Sequence, residues 1–148
     1  LLKALKQKGD EAMRRKGEQW FLAVASNKYQ AATEKIVAQL FPGVFDVVLG
    51  ERAGVERKPD PQIVYDILKA KGERLEAKGE EILYIGDSLV DAETARAAAS
   101  YLSTLNTQLS LVLCTWGFGT REQLEGAKPD YLVDHPLEVL KAVEGLEV

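Results

Sequence analysis

The sequence has few of the residues that carry cysteine or histidine chemistry. Its 148 residues include one cysteine, Cys114, and one histidine, His135. A single cysteine excludes an intrachain disulfide, and Cys114 lies in the apolar run Leu111–Cys114, which predicts a buried strand residue. Because the only histidine is distant in sequence, we do not expect Cys114 to act as a nucleophile with a neighbouring base.

A basic surface and a long hydrophobic run are also absent. The 19 basic and 23 acidic residues give a net charge of −4, which offers no broad surface for nucleic acid or anionic lipid. No apolar stretch approaches the ~20 residues that cross a bilayer, and no stretch has the pattern of a signal peptide. We therefore expect a cytoplasmic protein that binds neither nucleic acid nor membrane. A small anion site stays compatible with this charge, because a few oriented N–H groups and one lysine can hold a phosphate.

What the sequence does contain is an alternation of short apolar runs with longer segments of helical periodicity. This alternation predicts one α/β domain with a parallel sheet and helices on both of its faces. The predicted strands are Trp20–Ala25, Val44–Leu49, Glu81–Ile85, Leu109–Cys114 and Tyr131–Val133. The predicted helices are Leu1–Lys16, Tyr29–Leu40, Pro61–Lys71, Leu89–Ala99 and Pro136–Val143. Two polar tracts, residues 9–19 and 100–108, are predicted to be solvated insertions.

Acidic side chains follow the predicted strand Glu81–Ile85 where that strand ends. Gly86 allows a tight turn, and Asp87 and Asp91 stand four residues apart across the next helix start, so both carboxylates can point to one spot. Two carboxylates this close repel each other unless a cation lies between them, and a few oxygen ligands with waters suit Mg²⁺. The structural alternative is that Asp87 caps the helix and Asp91 is a first-turn acid favoured by the helix dipole.

Lys58 lies in the sequence Lys58-Pro59-Asp60-Pro61, directly before a predicted helix. Pro59 forces Lys58 to be extended. Asp60 suits the N-cap, and Pro61 suits the first helical position. This rigid frame holds Lys58 in one direction, where its ammonium group could bridge a phosphate and a carboxylate. The structural alternative is a surface lysine beside a well-capped helix.

Ser26 and Asn27 follow the predicted strand Trp20–Ala25. A hydroxyl and unpaired N–H groups at the start of the next helix could bind a phosphate, and Ser26 as a plain N-cap is the alternative. A further loop, Thr115–Gly119, holds two aromatic residues and two glycines, which is consistent with the wall of a pocket or with simple packing. Because the carboxyl ends of parallel strands share one edge of the sheet, we expect all these groups in one cleft.

Taken in order, these segments resemble a known family. Ser26 after an apolar strand, Lys58 in Lys-Pro-Asp-Pro, and the Gly-Asp-Ser-x-x-Asp loop at 86–91 are similar to the second, third and fourth motifs of the haloacid dehalogenase-like hydrolase superfamily. The similarity extends from about Leu22 to the C-terminus. Shorter strings resemble phosphoglycolate phosphatases, namely Ala25–Lys28, Thr115–Gly117 and Asp134–Pro136.

The resemblance implies a Rossmann-like core that hydrolyses the phosphate ester of a small phosphorylated metabolite with Mg²⁺ as cofactor. Ser26 and Asn27 would bind the phosphoryl group, and Lys58 would bind it too while steadying the nucleophile. Ser26 and Lys58 would thus be the catalytic residues that this chain supplies. Asp87 would ligate Mg²⁺ directly, and Asp91 would ligate it or orient its waters. A small phosphorylated acid such as 2-phosphoglycolate is the expected substrate.

The chain departs from the family at the first motif. That motif is an Asp-x-Asp pair whose first aspartate attacks phosphorus, and no two aspartates here are separated by a single residue. In the family this motif lies at the end of a central strand, which stands between the strands that end here at Ser26 and Gly86. The cap follows the motif in sequence. We therefore expect a partial core without the nucleophile strand and cap, in which either the two halves of the sheet close up or the missing strand arrives from elsewhere. Residues 1–19 are assigned to the last helix between cap and core, followed by an insertion.

Three functions remain open from the sequence. The first is a phosphatase acting through an aspartyl-phosphate whose nucleophile lies outside this chain, so that the chain alone is expected to be inactive. The second is a non-catalytic module that binds phosphate or metal. The third is a phosphomutase or dehalogenase of the same superfamily, since Lys58 and Ser26 are shared with those relatives. The oligomeric state is not predicted.

Overall fold

The structure, a computed structural model, describes residues 1–16, 20–71 and 81–146; the predicted insertion therefore lies partly outside the described residues, at 17–19. The strands are β1 (Ala23–Tyr29), β2 (Val47–Glu51), β3 (Glu81–Gly86), β4 (Gln108–Cys114) and β5 (Tyr131–Val133). The helices are α1 (Leu2–Lys16), α2 (Gln30–Leu40), α3 (Gln62–Ala70), α4 (Leu89–Thr104), α5 (Arg121–Gly126) and α6 (Val139–Leu146), with a 3-10 turn at Pro136–Glu138. The predicted α/β fold is confirmed.

The strands form two parallel sheets. In the first sheet β1 pairs with β2, with Ala23 opposite Val47. In the second sheet β4 lies between β3 and β5, with Tyr84 of β3 opposite Leu111. Among the described strands no pairing joins β1 to β3, so the two halves of the sheet do not close up against each other. The side chain of Ile85 in β3 is consequently left 41% exposed.

The hydrophobic core lies on both faces of the second sheet, because side chains alternate along β4. Leu111 and Leu113 belong to a buried cluster with α3, α4 and α5. Val112 and Cys114, on the opposite face, belong to a second cluster with β5 and α6. Helices therefore cover both faces of this sheet, as the apolar strands predicted.

Two helices connect the parts of the fold. Helix α3 contacts β1, β2 and α4, so it lies where the two sheets approach each other. Helix α1 is tied to α6 by an ion pair between Lys8 Nζ and Glu144 Oε1 at 3.0 Å, and its Leu5 side chain is buried. Gly9 does not interrupt α1, which continues to Lys16. Within the described ranges no helix is long and apolar enough to cross a bilayer.

The predicted insertion at residues 100–108 is wrong. Helix α4 continues to Thr104, and β4 begins at Gln108. The helix continues because Ala95, Ala98 and Leu102 lie on one face and are completely or almost completely buried. Leu102 was missed because its neighbours in sequence are mostly polar, so the composition of this segment indicated a solvated loop.

Other boundaries also differ from the prediction, and one helix was missed. Strand β1 was expected to end at Ala25 but extends to Tyr29, because Tyr29 still pairs with Glu51 after an irregularity in register. Strand β2 (Val47–Glu51) begins three residues later than predicted. Helix α5 was not predicted, although Thr120 and Gln123 form the capping box that the sequence pattern Thr-x-x-Gln indicates.

Candidate active site

The loop between β3 and α4 is built around Asp91. Ser88, not Asp87, is the N-cap of α4, and its hydroxyl accepts a hydrogen bond from Asp91 N at 3.3 Å and donates one to Asp91 Oδ2 at 2.7 Å. Gly86 is required for close packing, since a Cβ there would overlap the side chain of Asp91. The sequence alternative in which Asp87 caps the helix is therefore wrong.

Lys58 and Asp91 form a buried ion pair at the edge of the sheets. Lys58 Nζ lies 2.7 Å from Asp91 Oδ1 and also donates to the backbone oxygen of Ala25 at 3.0 Å. The side chains of Lys58 and Asp91 are only 11% and 9% exposed. Asp60 Oδ1 accepts from Gln62 N at 2.9 Å at the start of α3, but the N-cap of that helix is Pro61 and not Asp60 as predicted. Lys58 is thus aimed inward and is not the surface lysine of the alternative.

Both carboxylate oxygens of Asp91 are occupied by donors. Besides Lys58 and Ser88, Tyr84 Oη donates to Oδ1 at 3.3 Å and Asp87 N donates to Oδ2 at 3.1 Å. Burial alone would raise the pKa of Asp91, but the hydrogen bond and charge of Lys58, with the bonds from Ser88 and Asp87 N, hold that pKa below its usual value. Asp91 is therefore a carboxylate that positions Lys58. Its four donors do not favour direct metal ligation, which was one of its two expected roles.

Tyr84 is a member of this cluster that the sequence reasoning missed. It lies two residues before Gly86 in β3, it is 8% exposed, and its phenol contacts Asp91. Burial, followed by the charge of Asp91, raises the pKa of Tyr84 well above its ordinary value, so the phenol stays a neutral donor. No local signal in the sequence distinguishes it from another strand tyrosine, because its contact with Asp91 is made only in the folded protein.

Ser26 and Asn27 do not stand at a helix N-terminus, in contrast to the prediction. Both belong to β1, and α2 begins only at Gln30. Ser26 Oγ accepts from Lys28 N at 3.1 Å within the strand. Asn27 Nδ2 donates to the backbone oxygen of Lys58 at 3.0 Å, and Asn27 Oδ1 accepts from Lys58 N at 2.9 Å. The amide of Asn27 is therefore used to hold Lys58, whereas the hydroxyl proton of Ser26 has no acceptor among the described residues.

A small cleft, open to solvent, lies beside Lys58 at the carboxyl ends of β1 and β2. Ser26, Asn27 and Lys58 line it, together with the two arginines Arg52 and Arg57. Both arginines have acidic partners, since Arg52 lies 2.8 Å from Asp66 Oδ2 and Arg57 lies 3.6 Å from a carboxylate oxygen of Glu51. Two of the predicted phosphate-binding residues thus share one cleft with the predicted catalytic lysine.

Asp87 offers a single carboxylate oxygen without a hydrogen bond. Its Oδ2 accepts from Phe118 N at 3.2 Å, whereas no residue of the described ranges donates to its Oδ1. In the described part of the chain, no group of three or more histidine, cysteine, aspartate or glutamate side chains converges as a metal-binding cluster. The donor chemistry still fits Mg²⁺, which prefers oxygen ligands and usually keeps several waters beside one or two carboxylates.

Comparison with known proteins identifies the family. A sequence model of haloacid dehalogenase-like hydrolases matches residues 1–99. The chain is 31% identical over 135 residues to a phosphoglycolate phosphatase of Aquifex aeolicus, covering 90% of this chain and 55% of that protein. It is 32% identical over 103 residues to a Caldanaerobacter subterraneus protein assigned as the pyrophosphatase PpaX, covering 70% of this chain and 41% of that protein.

A solved structure agrees with these relatives. The fold superimposes with a TM-score of 0.73 and 32% identity on a protein of Lactobacillus delbrueckii subsp. bulgaricus assigned as a phosphoglycolate phosphatase, covering 96% of this chain and 50% of that chain. The chain spans about half the length of the relatives it matches. With the matched motifs, the shared fold and the order of its site residues, the chain belongs to the haloacid dehalogenase-like hydrolase family.

Proposed function

We propose that the full-length protein is a Mg²⁺-dependent phosphate monoester hydrolase, and that this chain supplies most of its phosphoryl-binding residues. The substrate is a small phosphorylated acid, with 2-phosphoglycolate as the first candidate. The observation that carries the proposal is the buried ammonium group of Lys58, held between Asp91 and the backbone of Ala25 at the rim of a cleft. Relatives from two bacteria, named for phosphoglycolate phosphatase, support the substrate class.

Lys58 has the donor capacity for this task. A lysine ammonium group has three N–H bonds, and two of them are used by Asp91 Oδ1 and the oxygen of Ala25. The third has no acceptor within the described residues and is available to a phosphoryl oxygen. The Ser26 hydroxyl, which lines the same cleft, donates a second bond to that group. Phosphoryl transfer depends mainly on such positioning and neutralisation of oxygen charge.

Asp87, whose Oδ1 accepts no hydrogen bond from the described residues, would hold the metal. Mg²⁺, when bound, adds positive charge beside the phosphoryl oxygens. Asp91 acts differently, because both of its carboxylate oxygens already accept hydrogen bonds. It fixes the ammonium group of Lys58, and it fixes the backbone of Asp87 by accepting from Asp87 N. The nucleophile is an aspartate outside these 148 residues, carried on a strand that fits between the unpaired edges of β1 and β3. The chain alone is accordingly expected to be inactive.

The test is hydrolysis of 2-phosphoglycolate and of para-nitrophenyl phosphate by the full-length protein with Mg²⁺. Lys58→Ala and Asp87→Ala should each lower kcat/KM at least about 100-fold, and EDTA should abolish turnover. Lys35→Ala, on the exposed side of α2, is the matched lysine control and should retain activity. Full activity of the Asp87→Ala protein would contradict the proposal. Absence of turnover with either ester in the unsubstituted protein, together with saturable phosphate binding, would identify a non-catalytic phosphate-binding module instead.

A further inference from the structure

The loop that follows β4 lies directly against Asp87. Phe118 N donates to Asp87 Oδ2 at 3.2 Å, and Gly119 N donates to the backbone oxygen of Asp87 at 2.8 Å. Two consecutive backbone N–H groups of one loop therefore hold both the side chain and the main chain of one aspartate. The two segments are about 30 residues apart in sequence, so this contact exists only in the folded protein.

Gly117 is the residue that permits this approach. A Cβ at Gly117 would overlap Oδ2, Cβ and Cγ of Asp87, so no other residue fits without displacing that side chain. A positive φ is not the reason for the glycine, since the positive-φ residues of the described chain lie elsewhere. Gly119 is confined in the same way, because a Cβ added there would lie 2.6 Å from Leu124 Cδ2 and 2.9 Å from the backbone oxygen of Asp87. Both glycines serve close packing against Asp87.

The aromatic side chains of the loop are not what holds Asp87. The Phe118 side chain is 95% exposed and that of Trp116 is 47% exposed. The contact to Asp87 is made by the Phe118 backbone N–H. The packing and the hydrogen bonds are thus properties of the loop backbone, and the Phe118 ring can be removed without removing either.

We infer that the 117–119 loop is a positioning element that fixes Asp87 Oδ2 and thereby holds Asp87 in an orientation in which it would bind a divalent cation. Gly117 and the Phe118 N–H are positioning residues, not catalytic ones, because they act only through Asp87. The inference rests on the proposed function, in which Asp87 holds the metal. Groups that orient a metal ligand typically change metal affinity about 10- to 100-fold when they are altered.

The experiment measures Mn²⁺ binding to the full-length protein by electron paramagnetic resonance, with Mn²⁺ as the probe in place of Mg²⁺. Gly117→Ala should weaken Mn²⁺ binding, raising the dissociation constant at least about tenfold. Gly126→Ala is the matched control, since nothing lies within 4 Å of a Cβ at that position. This control should bind Mn²⁺ like the unsubstituted protein.

The outcomes separate the inference from the proposed function. If the unsubstituted protein binds Mn²⁺ and Gly117→Ala binds it equally well, the inference is overturned and the proposed function stands. If the unsubstituted protein binds no Mn²⁺, both are overturned. If Gly117→Ala does not fold, hydrogen exchange of the Phe118 amide tests the inference instead. Slow exchange in the unsubstituted protein that becomes fast in Asp87→Ala supports the inference. Fast exchange in the unsubstituted protein overturns it.

Discussion

The side-chain amide of Asn27 makes two hydrogen bonds to the backbone of Lys58, one to its carbonyl oxygen at 3.0 Å and one from its N–H at 2.9 Å. The lysine ammonium group is meanwhile bonded to the Ala25 oxygen of the same strand. Backbone and side chain of Lys58 are therefore both fixed relative to β1. Since a lysine side chain otherwise has many rotamers, this arrangement removes much of the entropy that phosphate binding would have to overcome.

Asn27→Ala should uncouple Lys58 from β1. The two lost hydrogen bonds are partly buried, so we expect the free energy of unfolding to fall by about 1–3 kcal/mol. In the proposed enzyme kcat should fall as well, because Lys58 is no longer held. Urea denaturation measures the first effect. Gln7→Ala, which breaks an exposed bond to Glu11 on α1, serves as the control and should change stability by less than about 0.5 kcal/mol.

The Lys58–Asp91 pair should show strong energetic coupling. Because both side chains are about nine-tenths buried, Lys58→Met leaves an uncompensated carboxylate and should cost about 3 kcal/mol of stability. In a double-mutant cycle with Asp91→Asn, we expect a coupling energy of about 1–3 kcal/mol. The exposed pair Arg121–Glu125, with N and O atoms 3.1 Å apart, is the comparison and should give a much smaller coupling energy, because solvent screens it. Additive single effects at Lys58 and Asp91 would refute the coupling.

Acid should destabilise the protein partly through Asp91. Its pKa in the folded state lies below the ordinary value of 3.8, so the folded state favours the ionised carboxylate. The resulting stability is complete above the unfolded pKa, near 4, and is lost as the pH falls through the lower folded pKa. Urea unfolding between about pH 6 and 2 should show this loss. Asp91→Asn should flatten this part of the pH profile; an unchanged slope would mean that other carboxylates dominate.

Cys114 should be unreactive in the folded protein. Burial, followed by the charges of Asp87 and Asp91, raises the pKa of this thiol to about 11, so at pH 8 only about one molecule in a thousand has the reactive thiolate. The side chain is also just 4% exposed. Iodoacetamide labelling followed by mass spectrometry should therefore proceed only as fast as the protein unfolds. Rapid labelling at pH 8 without urea would contradict the buried position.

Local sequence signals predicted several features well. Strand β5 matches its predicted range, Tyr131–Val133, and β4 differs from its predicted range only by beginning one residue earlier. Both were predicted well because runs of apolar side chains identify buried strands directly. The hydrogen bond from Gln62 N to Asp60 Oδ1 at the start of α3 also depends on neighbouring residues alone, although the N-cap is Pro61 and not the predicted Asp60. Such features depend on interactions within a few positions of the chain, which a sequence displays openly.

Features that depend on distant partners were predicted less well. The bonds of the Asn27 amide to the backbone of Lys58, 31 positions away, were not foreseen, while its binding of phosphate stays a prediction. Tyr84 was missed because nothing local distinguishes it from any other strand tyrosine, whereas its contact with Asp91 depends on how α4 packs over β3. The end of α4 was misplaced because the burial of Leu102 is set by the neighbouring strands and helices.

The sequence by itself determined the alternation of strands and helices, the order of Ser26, Lys58 and the acidic loop, and the absence of an Asp-x-Asp pair. Only the tertiary structure decided that the oxygens of Asp91 bond to Lys58, Tyr84 and the loop, while one oxygen of Asp87 has no donor among the described residues. It also decided that β1 and β3 stay unpaired in the described chain. The physical reason is that motifs are set by residue type and spacing, whereas hydrogen-bond partners are set by the packing of segments about 30 residues apart.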